Sequence, residues 1–174
     1  MRKSLFSASL ALFLSTPVLA AEPWQLKEAP AGTAAKWVAE VKNAQGDTLR
    51  VYRKIGRSGY EAFAEFTLAS GKKFSKAMPL YQIDNGKVED TAVAKRLGET
   101  LNQPLADIKS NQANWRIWTS PTPQIDTDSE LMPWIRGNNL LIKYKTPKDK
   151  EKNSTFSLKG SGKAIKTAIT GAYQ

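Results

Sequence analysis

Between residues 37 and 73 apolar and polar side chains alternate, and three short polar turns interrupt the alternation. No other feature constrains the fold as much, because a period of two places successive residues on opposite faces of a pleated strand. Residues 37–42 put Trp37, Ala39 and Val41 on one face, and residues 48–55 are rich in β-branched and aromatic side chains. Residues 60–69 set Ala62, Ala64, Phe66 and Leu68 opposite Glu61, Phe63, Glu65 and Thr67. The intervening turns, 43–47, 56–59 and 70–73, each carry glycine. Short strands joined by such turns make an antiparallel meander.

Residues 74–83 are predicted as a fourth strand, with Pro79 marking an edge or a bulge. Residues 84–87 form a turn, and Val88 opens a short strand. The period then changes: Val93, Leu97 and Leu101 recur every four residues across 91–102, which predicts a helix, weakened by Gly98 and ended before Pro104. Residues 115–118 and 140–145 are strands, the second with Leu140, Ile142 and Tyr144 facing one way. Residues 131–135 make a helical turn before Gly137, residues 147–153 a charged hairpin loop, and residues 155–159 the last strand. The expected fold is mainly β, one antiparallel β-sandwich-like domain over 37–174 with a middle helix and a C-terminal helix. Residues 21–36 precede it as an extended lead-in that anchors through Trp24.

The first twenty residues have the three-part layout of a secretory signal peptide: Arg2 and Lys3, an apolar stretch over 5–14, and small residues that place cleavage after Ala20 or Ala21. The apolar stretch is too short to span a bilayer, and no later segment approaches the ~20 apolar residues of a transmembrane helix. The expected location is a bacterial periplasm. The chain contains no cysteine, so its core must hold without disulfides, and no histidine. Ser-His-Asp and Cys-His nucleophilic sites are thereby excluded, as are zinc sites built on cysteine and histidine. Paired carboxylates, a Ser-Lys pair or an all-oxygen metal site stay open. The formal charge is +10, of which the signal segment carries two, and a basic surface favours anionic partners.

Residues 154–169, STFSLKGSGKAIKTAI, have the outline of a phosphate-binding loop. Such a loop needs G-x-x-x-x-G-K-[ST], and here Ser157 stands where the first glycine belongs and Ala164 where the hydroxyl belongs. The stretch reads instead as a strand with Phe156 and Leu158 inward, a turn at Gly160, a helix capped by Ser161, and an apolar helix face of Ala164, Ile165, Ala168, Ile169 and Ala172. Lys163, Lys166, Thr167 and Thr170 are expected to face water. No nucleotide and no cofactor is expected.

Three runs occur in order: Met78 to Gly86 (MPLYQIDNG), Leu140 to Tyr144 (LLIKY), and Phe156 to Gly160 (FSLKG) followed by Ala164-Ile165. In this arrangement the chain resembles the invasion-associated locus B family of exported bacterial proteins, over roughly residues 37–172. The resemblance implies a compact β-rich periplasmic fold and no established catalytic residues. Members of that family carry cysteines in the middle section, which this chain lacks.

Two constellations carry candidate binding residues. In Trp115-Arg116-Ile117-Trp118 a regular strand would put Arg116 and Trp118 on one face, where they could stack on a sugar or meet lipid headgroups; the competing reading buries both tryptophans. Lysines 143, 145, 148, 150, 152 and 159 cluster on a strand, a loop and the next strand. Lys143, Lys145 and Lys159 are expected to point outward as an anion-binding ribbon, or else to guard an exposed edge against aggregation. Glu61 and Glu65 lie about 13 Å apart along one strand, too far for a retaining carboxylate pair. Asp84, Glu89 and Asp90, and again Asp126, Asp128 and Glu130, read as turn and cap chemistry. The functional expectation is a non-catalytic periplasmic binding protein whose basic face meets an anionic envelope component or an acidic protein. The alternatives are a cell-wall glycan hydrolase using carboxylates, or an inhibitor or immunity protein.

Overall fold

A computed structural model describes residues 23–29, 35–57 and 59–171. The expected signal peptide with its cleavage position, residues 30–34 of the lead-in, Ser58 and Ala172 lie outside the described residues. The chain runs through β1 (Gln25–Glu28), β2 (Trp37–Lys42), β3 (Thr48–Gly56), β4 (Gly59–Thr67), β5 (Leu80–Ile83), β6 (Val88–Asp90) and α1 (Ala92–Leu101). It continues through β7 (Ala106–Ile108), β8 (Gln112–Ser120), α2 (Met132–Arg136), β9 (Asn139–Lys145), β10 (Glu151–Ser157) and α3 (Ser161–Thr170). Two antiparallel sheets result, ordered β1-β2-β3-β4-β8-β7 and β10-β9-β5-β6. They pack as a mainly β single domain.

The meander forms as its period requires. Ala39, Val41, Leu49, Val51, Ala62, Ala64 and Phe66 turn inward and are nearly or fully buried. From the facing sheet come Leu140, Ile142, Tyr144 and Phe156. Phe66 sits edge-on to Phe74, Tyr144 and Phe156, with ring centroids 5.5–5.9 Å apart, a geometry that adds to the hydrophobic gain of burying them. The apolar face of α3 packs across β1–β3, burying Ala164, Ile165, Ala168 and Ile169. A ten-residue helix is marginal alone, so this docking surface is what holds it.

Several expectations are corrected. Only 80–83 of the expected strand 74–83 is a strand, and it belongs to the second sheet. Residues 74–79 cross between the sheets, with Phe74 N–H donating to Ser110 O and Ser75 N–H to Lys145 O, so they cannot pair along one ladder. The lead-in contributes strand β1, paired with β2, and Trp24 anchors as expected, its indole N–H 2.8 Å from Ser157 O. The last strand is longer than expected and begins at Glu151. Ser161 does not cap α3. It is fully buried and donates its hydroxyl to Trp134 O at 2.8 Å, tying α3 to α2. Thr167, expected in water, is 3 % exposed. The second glycine of the Gly-Ser-Gly-Lys run has a packing reason: a Cβ on Gly162 would lie 3.0 Å from Ile135 O. Gly98 has one too, since a Cβ there would lie 2.4 Å from Gln103 O. Helix α1 forms, but Val93, Leu97 and Leu101 are 53 %, 42 % and 47 % exposed, so the stripe that revealed the helix is not the face it buries.

Candidate functional site

The outer face of the larger sheet is charged yet self-compensated. Lys27 and Arg50 both bind Glu40, Arg50 reaches on to Glu65 at 3.1 Å, and Arg116 holds Glu61 at 2.9 Å. Burial pushes the Glu40 carboxyl up, but the bonds from Lys27 and Arg50 outweigh it and hold the group below the usual range. Lys27, Arg50 and Arg116 are thereby paired, and Lys54 lies over the Tyr52 and Phe63 rings.

The expected tryptophan–arginine pair is not formed. Strands β4 and β8 slip register between Ala62 and Phe63, so Ala62 pairs Trp118 while Phe63 pairs Arg116. The bulge spends Ile117 as an extra residue and turns Trp118 onto the inner face with Trp115. Trp118 is 6 % exposed, and Arg116 stays on the outer face with Glu61. The expected lysine ribbon is also dispersed. Lys143 and Lys145 do face outward, opposite Asn153 and Glu151, and Lys145 pairs with Asp149 at 3.3 Å. Lys159 lies beyond the Ser157 end of β10, six residues and roughly 20 Å along the chain from the level of Lys143.

A different set of lysines converges at the end of the sandwich formed by turns 43–47 and 70–73 and hairpin 146–150. Lys72, Lys73, Lys148 and Lys152 line a groove of about 590 Å³ there. Lys152 belongs to the inward series Lys152, Ser154, Phe156 and pairs Tyr144, but it lies past the end of the core and so opens to water. The groove's one lining carboxylate, Asp47, is 1 % exposed and committed. Its Oδ1 accepts from Ala69 N–H at 2.9 Å and Lys72 Nζ at 3.0 Å, and its Oδ2 accepts from the Ser154 hydroxyl at 2.8 Å. Asn43 completes the network, donating to Ser154 Oγ at 2.8 Å and accepting from Asp47 N–H at 3.0 Å. The network stitches the β2–β3 turn to β10 and holds the Lys72 ammonium. Burial raises the Tyr144 phenol's pKa, and Asp47 adds to it. The periodicity that found Lys143 and Lys145 could not find Lys72 and Lys73, which sit in a turn; their only signal was a pair of cations beside a glycine.

A second concavity, about 620 Å³, lies between β5, β6, α1, α2 and β8. Its floor is aromatic: Tyr81 stacks on Trp115 at 5.8 Å and leans on Trp134 at 5.2 Å. Burial, chiefly, and the charges of Glu89 and Glu130 push the Tyr81 phenol up to about 12 despite a hydrogen bond from Trp134. The acids seen in sequence take structural places nearby. Asp84 accepts the N–H groups of Asn138 and Asn139, and Asp90 accepts that of Ala92 at the start of α1. Among the described residues no group of three or more acidic side chains could hold a metal ion, and no helix is long and apolar enough to cross a membrane. No family model, no curated protein and no solved structure matches the chain.

Proposed function

We propose that this chain is an exported, non-catalytic binding protein of the periplasm, and that the lysine groove holds an anionic envelope component bearing phosphate or carboxylate groups. One observation carries the reading: four lysines surround a concavity whose single carboxylate is buried and paired with Lys72 alone, so the charges of Lys73, Lys148 and Lys152 have no counter-ion among the groove's lining residues. Low-dielectric walls lined by one sign of charge concentrate an anion of the opposite sign. A concave site of this volume suits a compact headgroup or glycan unit better than a flat acidic protein surface. Tyr144 and Asn153 line the same groove and add hydrogen-bonding groups that could orient such a ligand. The absence of His and Cys leaves no imidazole or thiol to act on a bound ligand. The N-terminal layout and the likeness to the invasion-associated locus B family support export.

Binding of the purified protein to phosphatidylglycerol vesicles, lipid A and inorganic polyphosphate, at ~20 mM and ~500 mM salt, tests the groove. Retention at low salt, loss at high salt, and loss in the Lys148→Glu/Lys152→Glu variant are expected. Equal retention at both salts, or a variant that binds as tightly as the parent, would overturn the reading. Capture of an acidic protein with no affinity for these probes would move it to the other class of partner. Fractionation of cells tests export: protein confined to the cytoplasm at full length sinks that part.

A further inference from the structure

The aromatic cleft uses none of the groove's lysines, and its chemistry points elsewhere. Its rim is nearly neutral. Lys87 lies 3.4 Å from Glu89, Arg96 lies 3.6 Å from Asp90, and Arg116 is taken by Glu61 at 2.9 Å. Glu130 is the one lining carboxylate that makes no ion pair with a described residue. Exposed ion pairs are weak, but they cancel the local field even where they add little stability. The cleft therefore presents hydrogen-bonding carboxylates without a strong net charge.

Beneath the rim the surface is apolar and stiff. Tyr81 is layered over two indoles that are 1 % exposed, which fixes its ring. Val93 and Leu97 of α1 form one lip, and both are exposed. Two of the three residues in the outward apolar stripe of α1 thus line the cleft. The Trp115 indole N–H is buried in the floor with no acceptor among the described residues.

The ligand class follows from these requirements. An anion meets the unpaired Glu130 and finds Lys87 and Arg116 already engaged by carboxylates. A purely apolar ligand strips water from those carboxylates and returns no hydrogen bond. A neutral saccharide has hydroxyls to donate to carboxylates, ring oxygens to accept, and C–H faces for Tyr81, Val93 and Leu97. Bonds from hydroxyls to ionised carboxylates are among the stronger ones a neutral ligand can make. We propose that this cleft, between α1, α2 and β5–β6, is a binding site for a neutral oligosaccharide. Its volume, about 620 Å³, is that of a typical small-ligand site.

The site reports on itself, because Trp115, Trp118 and Trp134 line it, three of the five tryptophans in the chain. Tryptophan fluorescence of the whole protein is titrated with malto-, cello- and chito-oligosaccharides at ~0.5 M salt, where the lysine groove is screened. At least one sugar is expected to give a saturable change. Glu130→Ala and Leu97→Asp each alter an exposed side chain, and each is expected to weaken that sugar at least tenfold while the thermal midpoint stays put. No saturable change with any of the three sugars up to ~10 mM, far above useful affinity, would overturn the proposal. Variants that bind like the parent, or saturation by spermidine in place of sugars, would overturn it too.

Discussion

The groove and the cleft are nearly equal in volume, about 590 and 620 Å³, and opposite in construction. In the groove the acid lies inside and the cations outside: Asp47 is sealed in the protein, and lysines from three separate segments share the rim. In the cleft the aromatic rings lie inside, Glu89 and Asp90 stand on the rim beside their own cations, and Glu130 stands there without one among the described residues. The character of each cavity is thus set by where its counter-ions went. A buried carboxylate that spends its oxygens holding the fold neutralises only the one lysine it binds. A carboxylate paired in solvent cancels charge yet can still accept a hydrogen bond.

The largest effect is expected at the cleft. Trp134→Ala removes a side chain that is 1 % exposed and supports Tyr81, and should cost about 3–5 kcal/mol in denaturant unfolding. A cost under 1 kcal/mol would mean that the cleft floor is not the rigid platform described. At the groove, Asp47→Ala strands the Ser154 hydroxyl and the Ala69 N–H, and about 2–4 kcal/mol should be lost. An Asp47→Ala protein as stable as the parent would show the network to be dispensable.

Charge reversal separates the two cavities further. Lys148→Glu/Lys152→Glu should shift stability by no more than about 0.5 kcal/mol, since both side chains are exposed. It should weaken polyphosphate at least tenfold and leave the fluorescence response to oligosaccharide unchanged. Cross-talk between the two readouts would mean that the cavities are not independent.

The smallest effect compares two phenols, Tyr81 in the cleft and Tyr144 in the groove. Both are raised from the ordinary value of 10, chiefly by burial, Tyr81 to about 12. A raised phenol favours the neutral form in the folded state. Its contribution to stability is therefore complete below pH 10 and fades as pH climbs through the folded value. Ultraviolet titration of phenolate, with Tyr81→Phe and Tyr144→Phe as references, should show Tyr81 ionising near pH 12. Ionisation of Tyr81 near pH 10 would mean that its ring is open to water.

Much of the architecture was legible because it is local. Alternation at Ala62, Ala64 and Phe66, glycine in the 43–47 and 70–73 turns, and the four-residue recurrence of Ala164, Ile165, Ala168 and Ile169 each follow from backbone geometry over a few residues. They place the strands and helix α3 correctly, with the inward faces almost complete. Residues 74–79 misled because they run without a turn signal into 80–83, yet they must travel between the sheets. Arg116 and Trp118 misled because one bulge reverses every facing beyond it, and a bulge depends on the partner strand.

Neither cavity could be read along the chain. The groove joins Lys72 to Lys152 and the cleft joins Tyr81 to Trp134, pairings that hold only once two sheets have stacked. Periodicity reports which way a side chain leaves its own backbone, and composition reports which chemistries are missing, here imidazole and thiol. Which distant groups then face one another, and which charges are spent inside, is settled by packing, because burial and pairing are properties of neighbours in space.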